Sequence, residues 1–434
     1  MKPTQIKRLE CELGEYLDSL ISGMGRPERR RAMSWYVTGL LLDGERKSIE
    51  PIAARLVDDA SEIEAMRQRL QQCVTLSTWS DREVLGRLAR KLDRELPGAE
   101  TLIVDDTGHP KKGKHSVGVA RQYSGTLGRV DNCQVAVSLH VGGESVSGCI
   151  AYDLYLSEEW TADLPRRRSV GIPNEVGFRT KWQMALEQID WALAAGVRKH
   201  TVLADAGFGD ATEFREALMA RGLSYIVGIN GQPVVWPPES APSIPRRKPG
   251  KGHPPTRYRD DAHPPETIAH LAGRLRYRRV SWREGSRGWQ SSRFAAVRIR
   301  TAHRHIHAAP PGEEQWLLCE SPKAENEPRK YWLATLPPTT TIRTLVRLAK
   351  LRWRVERDYQ EMKQELGLDH FEGRTWRGFH HHAALCAVAH GFLALQRALF
   401  PPEEIEVDPS DGPALPAAGA ASENRLLSAL SSTG

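Results

Sequence analysis

The sequence predicts an α/β protein: a mixed sheet flanked by helices, with a helical N-terminal domain and a β-rich insertion domain. Three observations carry that class. Apolar residues recur at helical spacing over 1–98; from 101, short β-branched runs and amphipathic helices follow in the order β-β-β-α-β-α-β; and between 231 and 330 a Pro/Gly-rich basic stretch breaks the rhythm.

Length and composition bound the alternatives. The 434 residues are 40% hydrophobic and 26% charged, values of a globular chain and not of a disordered, collagenous or rod-like one. At roughly 150 residues per domain the length suggests about two to four domains. No run approaches the ~18–20 apolar residues of a membrane span, and residues 1–7 lack the apolar core of a signal peptide. A soluble, cytoplasmic protein is expected. The net charge of +7 permits a polyanionic partner without proving one. Cys11, Cys73, Cys133, Cys149, Cys319 and Cys386 form no CxxC pair and read as isolated core thiols.

Helical spacing marks 6–20, 33–42 and 84–96, with a basic cluster at Arg26, Arg29, Arg30 and Arg31. The stretch 44–53 suits the start of a small helix-turn-helix, although a solvated bundle explains it equally. Between these two, the domain 1–98 is expected to bind DNA. Strands are expected over 101–104, 133–140 and 146–156, a helix over 181–195 stopped by Gly196, and a strand over 200–204. A helix over 211–221 closing at Gly222 and a strand over 223–229 complete the first part of the core, 99–230. The insertion, 231–330, carries Arg246, Arg247, Lys248, Lys251, Arg257 and Arg259, with strand-like runs at 275–282 and 294–300. The core resumes over 331–400 with a strand at 331–335, a long helix over 342–366 and an apolar helix over 382–399; the Pro/Ala/Ser-rich remainder, 401–434, reads as a disordered tail.

Three acids stand at informative places. Asp106 is expected just past the end of the first strand and Asp205 at the end of the strand over 200–204. Open α/β sheets place their sites at strand carboxyl ends. Glu356 lies within the long helix. A lone Asp at a strand end is ordinarily a loop cap. If the two strands are neighbours, the acids converge, and converging carboxylates repel unless a hard cation such as Mg²⁺ or Mn²⁺ sits between them. Two such ions about 3.5–4 Å apart activate a water or 3′-hydroxyl and stabilise the leaving oxygen of a phosphoryl displacement. Asp105 is the alternative to Asp106, because adjacent strand residues face opposite ways. Asp358 and Glu361 lie roughly 200° and 140° around the helix from Glu356, so neither shares its face.

Cations flank the acids. Arg352 and Lys363 are expected on the Glu356 face, one turn before it and two turns after, where they would hold phosphates; i,i+4 salt bridging is the bland alternative. Lys111, Lys112 and Lys114 follow the first aspartate and read as a backbone clamp or a solvated basic loop. Trp353, Val355 and Tyr359 read as core or DNA-stacking positions. His380, His381 and His382 read as a surface turn, and His140 and His390 as structural.

These residues resemble the DDE transposases of bacterial insertion sequences, in the group whose RNase H-like core is interrupted by a β-rich insertion before the catalytic Glu. Arg352, Glu356 and Lys363 match the group's Tyr-x2-Arg-x3-Glu-x6-Lys motif, with Ala349 in place of the tyrosine. Asp106-Thr107 and Asp205 match its first and second aspartates, and 104–140 looks like a transposase block. The resemblance covers about 100–230 and 330–400. It implies that Asp106, Asp205 and Glu356 hold two Mg²⁺ or Mn²⁺ ions, and that the enzyme cleaves double-stranded DNA at its element's terminal inverted repeats and transfers the 3′-hydroxyl ends to target DNA. It further implies phosphate contacts by Arg352 and Lys363, aromatic support of a flipped base by Trp353 or Trp332, a homodimer in the active complex, and residence at the nucleoid. The rivals are a domesticated, non-catalytic DNA-binding relative and an RNase H-like nuclease that cuts without joining.

Overall fold

The computed structural model describes residues 3–125, 128–246, 253, 255–322, 328 and 330–399. The stretch 401–434 lies outside the described residues, as do Arg247, Lys248 and Lys251.

Along the chain run α1 (Pro3–Ile21), α2 (Pro27–Leu41), α3 (Ile49–Arg55), α4 (Ile63–Gln71) and α5 (Asp81–Glu95). Then come β1 (Thr101–Pro110), β2 (Ala120–Ser124), β3 (Arg129–Gly142), β4 (Ser147–Leu154), α6 (Glu158–Ala162), α7 (Leu164–Ser169) and α8 (Lys181–Ala194). Next are β5 (Thr201–Ala204), α9 (Ala206–Gly209), α10 (Thr212–Ala220), β6 (Tyr225–Ile229), β7 (Val234–Trp236), β8 (Glu266–Thr267) and α11 (Ile268–Gly273). The chain continues through β9 (Arg278–Arg283), β10 (Trp289–Thr301), β11 (Glu314–Ser321) and β12 (Lys330–Ala334) to α12 (Ile342–Leu351), α13 (Trp353–Gln364) and α14 (Trp376–Leu399). Local chemistry sets many of these ends. Thr180 and Gln183 form a reciprocal capping box at α8. Gly196 and Gly222 follow α8 and α10 with φ of +98° and +65°, a conformation that ends a helix at little cost to glycine.

The chain divides into two compact units. The first comprises Met1–Glu100, Val104–Arg198 and Arg354–Gly434. Its centre is α14, in which Gly378 to Ala394 are buried without a break. A helix that is apolar on every side needs covering on every side, and α2, α5 and β4 supply that cover. Tyr16 of α1 donates to the Val388 carbonyl at 2.7 Å and sets its ring 5.4 Å from Phe392. In the same unit β3 pairs antiparallel with β2 and β4 and is hydrogen-bonded to β1. Backbone bonds from Glu100 to Gly142 and from Lys111 to Asn132 bracket the β1 stretch and show it antiparallel to β3.

The second unit comprises Thr101–Ile103 and Lys199–Trp353. The first residues of β1 pair in parallel with β5, Thr101 against Thr201, and β5 pairs in parallel with β6. Beyond β6 the pairing turns antiparallel, through β12 and β11 to β10. Parallel strands joined to antiparallel ones make the mixed sheet that the sequence predicts, and α12 packs on β6. The chain leaves the sheet after β6 and returns to the adjacent position as β12. The insertion therefore adds strands beyond the sheet edge without disturbing the first part. Together the two units give the expected class, an RNase H-like mixed sheet flanked by helices.

Several expectations need correction. The first strand continues through Pro110, so Asp106 lies inside it. Its polar residues find partners there; His109, for example, is hydrogen-bonded to Tyr152 at 2.5 Å. The long helix expected over 342–366 is two, α12 and α13, interrupted at Arg352. Arg352 keeps helical dihedrals, φ −55° and ψ −24°, and no Pro or Gly marks the break, so periodicity runs through it. The histidines expected in a surface turn lie within α14 and are buried. His381 bonds the carbonyls of Val74 and Trp79, and His382 bonds Tyr36 and the Gly367 carbonyl. Backbone carbonyls and a tyrosine lie within hydrogen-bonding distance of their ring nitrogens, which is how a helical His-His-His run can be buried. Cys11 is exposed, unlike the other five cysteines, because it sits on the outer face of α1. Strands β2 and β11 lie in segments where the sequence analysis expected none.

Candidate active site

The apolar start of β1 is fully buried, and the burial continues through Asp105 before Asp106 turns half out to solvent. The two aspartates alternate as strand geometry requires. Asp105 is 8% exposed and accepts a hydrogen bond from the Asp106 backbone N–H at 2.9 Å. Asp106 points its Oδ2 at the Lys181 ammonium, 2.6 Å away.

The Glu356 helix is joined to this strand. On α13, Lys363 Nζ donates to Thr107 Oγ1 at 2.7 Å and to the Gly108 carbonyl at 2.9 Å, directly after Asp106. Burial lowers the Lys363 pKa, with Asp369 acting against that shift. Tyr359, one turn beyond Glu356, lies within electrostatic reach of Asp105 and Asp106. Burial is the larger cause of its raised pKa.

A buried polar network holds the inner face of α13. Asp358 Oδ2 pairs with His140 Nδ1 of β3 at 2.7 Å, and Asp358 Oδ1 accepts from Ser147 Oγ of β4 at 2.8 Å. Ser138 Oγ joins His140 Nε2 to the Tyr359 hydroxyl, at 2.9 and 2.6 Å. Glu361 pairs with Arg397 of α14 at 2.7 Å and with His390 at 3.3 Å. Burial alone would lower the His140 pKa; the Cys149 sulfur and the Asp358 carboxylate overcome it and carry the value up to about 10. Burial would likewise raise Glu361, but His390 and Arg397 bring it down to about 2. The same balance, with His140 the main partner, holds Asp358 well below the usual carboxylate range. These groups orient α13 so that Glu356 faces outward and is exposed. Sequence analysis set His140 and His390 aside as structural and missed that they pair with Asp358 and Glu361. The signal was available: Asp358 shares a helical face with Val355 and Met362, and an acid on an apolar stripe requires a buried partner.

Asp205 ends β5 as expected, and there its Oδ1 accepts from the Phe208 N–H at 3.4 Å as the cap of α9. The turn is tight. A Cβ on Gly209 would lie 2.0 Å from the Gly228 carbonyl oxygen of β6. Gly209→Ala is therefore expected to push α9 off β6 and to cost about 1–3 kcal/mol, the usual range for overpacking; chemical denaturation followed by tryptophan fluorescence checks it.

The remaining expected residues are placed as follows. Lys111 donates from Nζ to the Phe371 carbonyl at 3.0 Å, so its ammonium serves the fold, while Lys112 and Lys114 are exposed. The loop itself is anchored by Asn132, which bonds the Gly113 carbonyl at 3.0 Å, and by Arg166, which bonds the Lys114 carbonyl at 3.1 Å. Arg352, half-buried, stands at the break before α13 and keeps helical dihedrals there. Trp353 is half-buried, and a Cβ on Gly285 would lie 2.7 Å from its ring. The Trp332 ring has the Lys350 ammonium 5.3 Å away, and Lys350 also lies 4.6 Å from Trp282 and 2.6 Å from Glu320. Ala349, at the motif's tyrosine position, is buried in α12.

Asp106 offers a carboxylate, the donor type a hard divalent ion takes, on a side chain 22% exposed whose Oδ2 already accepts the Lys181 ammonium. Among the described residues no group of three or more His, Cys, Asp or Glu side chains is gathered as a metal cage, and no helix is long and apolar enough to cross a membrane.

The family described as DDE superfamily endonuclease matches residues 19–289. A probable transposase for insertion sequence element IS701, from Microchaete diplosiphon, is 31% identical over 201 residues. That alignment spans 46% of this chain and 48% of the relative, so the chain covers about half the length of the protein it resembles.

Proposed function

The chain belongs to the DDE superfamily of endonucleases, and from that premise we propose that it is an insertion-sequence transposase. It would bind the terminal inverted repeats of its element as a homodimer, cleave there, and join the freed 3′-hydroxyls to target DNA by cut-and-paste. The single observation that supports this best is the bond from Lys363 to Thr107 and Gly108, because it ties the Glu356 helix to the strand that carries Asp106 and, on the face of Thr107, its alternative Asp105.

In this reading Asp106, Asp205 and Glu356 are the ligands of Mg²⁺ or Mn²⁺, two ions in the active complex. When bound, divalent metal would activate a water or a 3′-hydroxyl and offset charge developing on the phosphate. The chain's own residues do the rest. Lys112 and Lys114, on an anchored loop, attract the DNA backbone without reading its sequence. The network beneath α13 keeps the Glu356 carboxylate at one rotation about the helix axis. Lys363 holds the end of β1, Arg352 is the phosphate contact before the helix, and Trp353 and Trp332 are the aromatic candidates beside a displaced base. Residues 1–98 are proposed to bind DNA, and the protein to reside at the nucleoid.

The test incubates purified protein and Mg²⁺ with a labelled duplex carrying the element end and an unlabelled target. Cleavage at the end plus a joined product supports the reading. Cleavage without joining supports a plain nuclease, and binding without cleavage a domesticated DNA-binding relative.

A further inference from the structure

We infer that the insertion carries a nucleotide site: a cavity of about 580 Å³ in which Arg276 and Arg278 take a phosphate and an apolar wall takes the ring attached to it. The inference goes beyond the proposed reaction and uses none of its candidate acids. The whole lining lies within the second compact unit. Its volume falls in the range of about 300–1,000 Å³ usual for small-molecule sites.

The charge at the cavity has one sign. Arg276 and Arg278 line it, and among the described residues no Asp or Glu does. The neighbouring arginines are occupied. Arg274 pairs with Glu266, Arg298 pairs with Glu314 at 2.8 Å, and Arg279 donates to Ser291 Oγ at 3.1 Å. Arg276 and Arg278, both exposed, make no ion pair or side-chain hydrogen bond among the described residues. Two guanidinium groups on one cavity repel each other unless an anion sits between them. Their planar forks match the oxygens of a phosphate. The first turn of α12 opens at the same cavity through Thr341 and Ile342, and the positive end of that helix acts in the same direction.

The rest of the lining is apolar and held in place. Phe294 and Ala295 are buried. The Tyr277 hydroxyl donates to the Ala272 carbonyl at 3.0 Å, and the Trp316 indole N–H donates to the Pro337 carbonyl at 3.1 Å. With their polar ends engaged, these two half-buried rings offer carbon to a ligand. An inorganic anion would use only the cationic half of this lining, and a purely apolar ligand would leave the guanidinium groups unmatched. A nucleotide uses both, with a phosphate at one end and a flat ring at the other. Its source is a free mononucleotide or a nucleotide of a DNA strand, since the same chemistry recognises each.

The experiment titrates the full chain by isothermal calorimetry with thymidine 5′-monophosphate, thymidine, inorganic phosphate and a dT tetranucleotide. The double variant Arg276→Gln/Arg278→Gln is compared with Arg246→Gln, which removes an exposed arginine of the insertion outside the cavity. The double variant breaks no side-chain contact and should melt as the parent does. It is expected to weaken binding of the monophosphate by at least about tenfold, while Arg246→Gln binds it like the parent. Thymidine and phosphate are each expected to bind more weakly than the monophosphate. If the tetranucleotide alone binds, and the double variant weakens it while Arg246→Gln does not, the site takes a nucleotide of a strand. Phosphate bound as tightly as the monophosphate overturns the nucleotide assignment. Equal affinities of the parent and the double variant for both nucleotide ligands, or no binding of either, overturn the site itself.

Discussion

Glu356→Gln should bind a labelled element end as the parent protein does and lose cleavage by at least about 10³-fold, or roughly 4 kcal/mol of transition-state stabilisation. The substitution keeps size and hydrogen-bonding capacity and removes only the negative charge. Glu356 is exposed on α13 while Asp358 and Glu361 are buried on its inner face, so the change leaves the network beneath the helix intact. Gel-shift titration and single-turnover cleavage on the same preparation separate the two effects. Normal cleavage by this variant would refute Glu356 as a ligand, whatever happens at Asp106.

The second large effect is on stability. Asp358→Ala leaves His140, its charged partner at 2.7 Å, buried without a counter-charge and strips Ser147 of its acceptor. Breaking a buried pair from one side costs about 3–5 kcal/mol, which urea denaturation followed by tryptophan fluorescence would show. The same network predicts a pH profile. His140 is raised from its usual value near 6.5 to about 10, so its contribution is complete below about pH 6.5 and is lost as pH rises through about 10. Glu361 is lowered to about 2, so its contribution is complete above about pH 4.5 and is lost as pH falls toward 2. Parental stability should fall on both sides of that interval. In Asp358→Ala the alkaline loss attributable to His140 should shrink, since its carboxylate partner is gone; an unchanged alkaline limb would show that the pair does not carry it.

Much of the architecture follows from local chemistry. Helices α8 and α10 and strands β5 and β6 start and stop close to where periodicity, caps and glycines place them, because those signals act within a few residues. Asp106 and Asp205 stand out for the same reason, being polar residues set at the ends of apolar runs. The signals fail where long-range pairing overrides them. The Asp-Asp-Thr-Gly-His-Pro stretch reads as a turn, yet β3 holds it extended as part of β1. Strand β11 is legible only through its neighbours β10 and β12.

The helix around Glu356 shows where the division falls. Spacing alone determines that Glu356 and Asp358 face different ways, because the α-helix has a constant angle per residue. Which of them faces water is decided by what lies underneath. His140 and Ser147, more than two hundred positions earlier in the chain, supply a cation and a hydroxyl that make burial of Asp358 tolerable and leave Glu356 outside. Lys181 meets Asp106 by the same logic: seventy-five residues separate them in sequence, and only the packed unit brings the charges to contact distance.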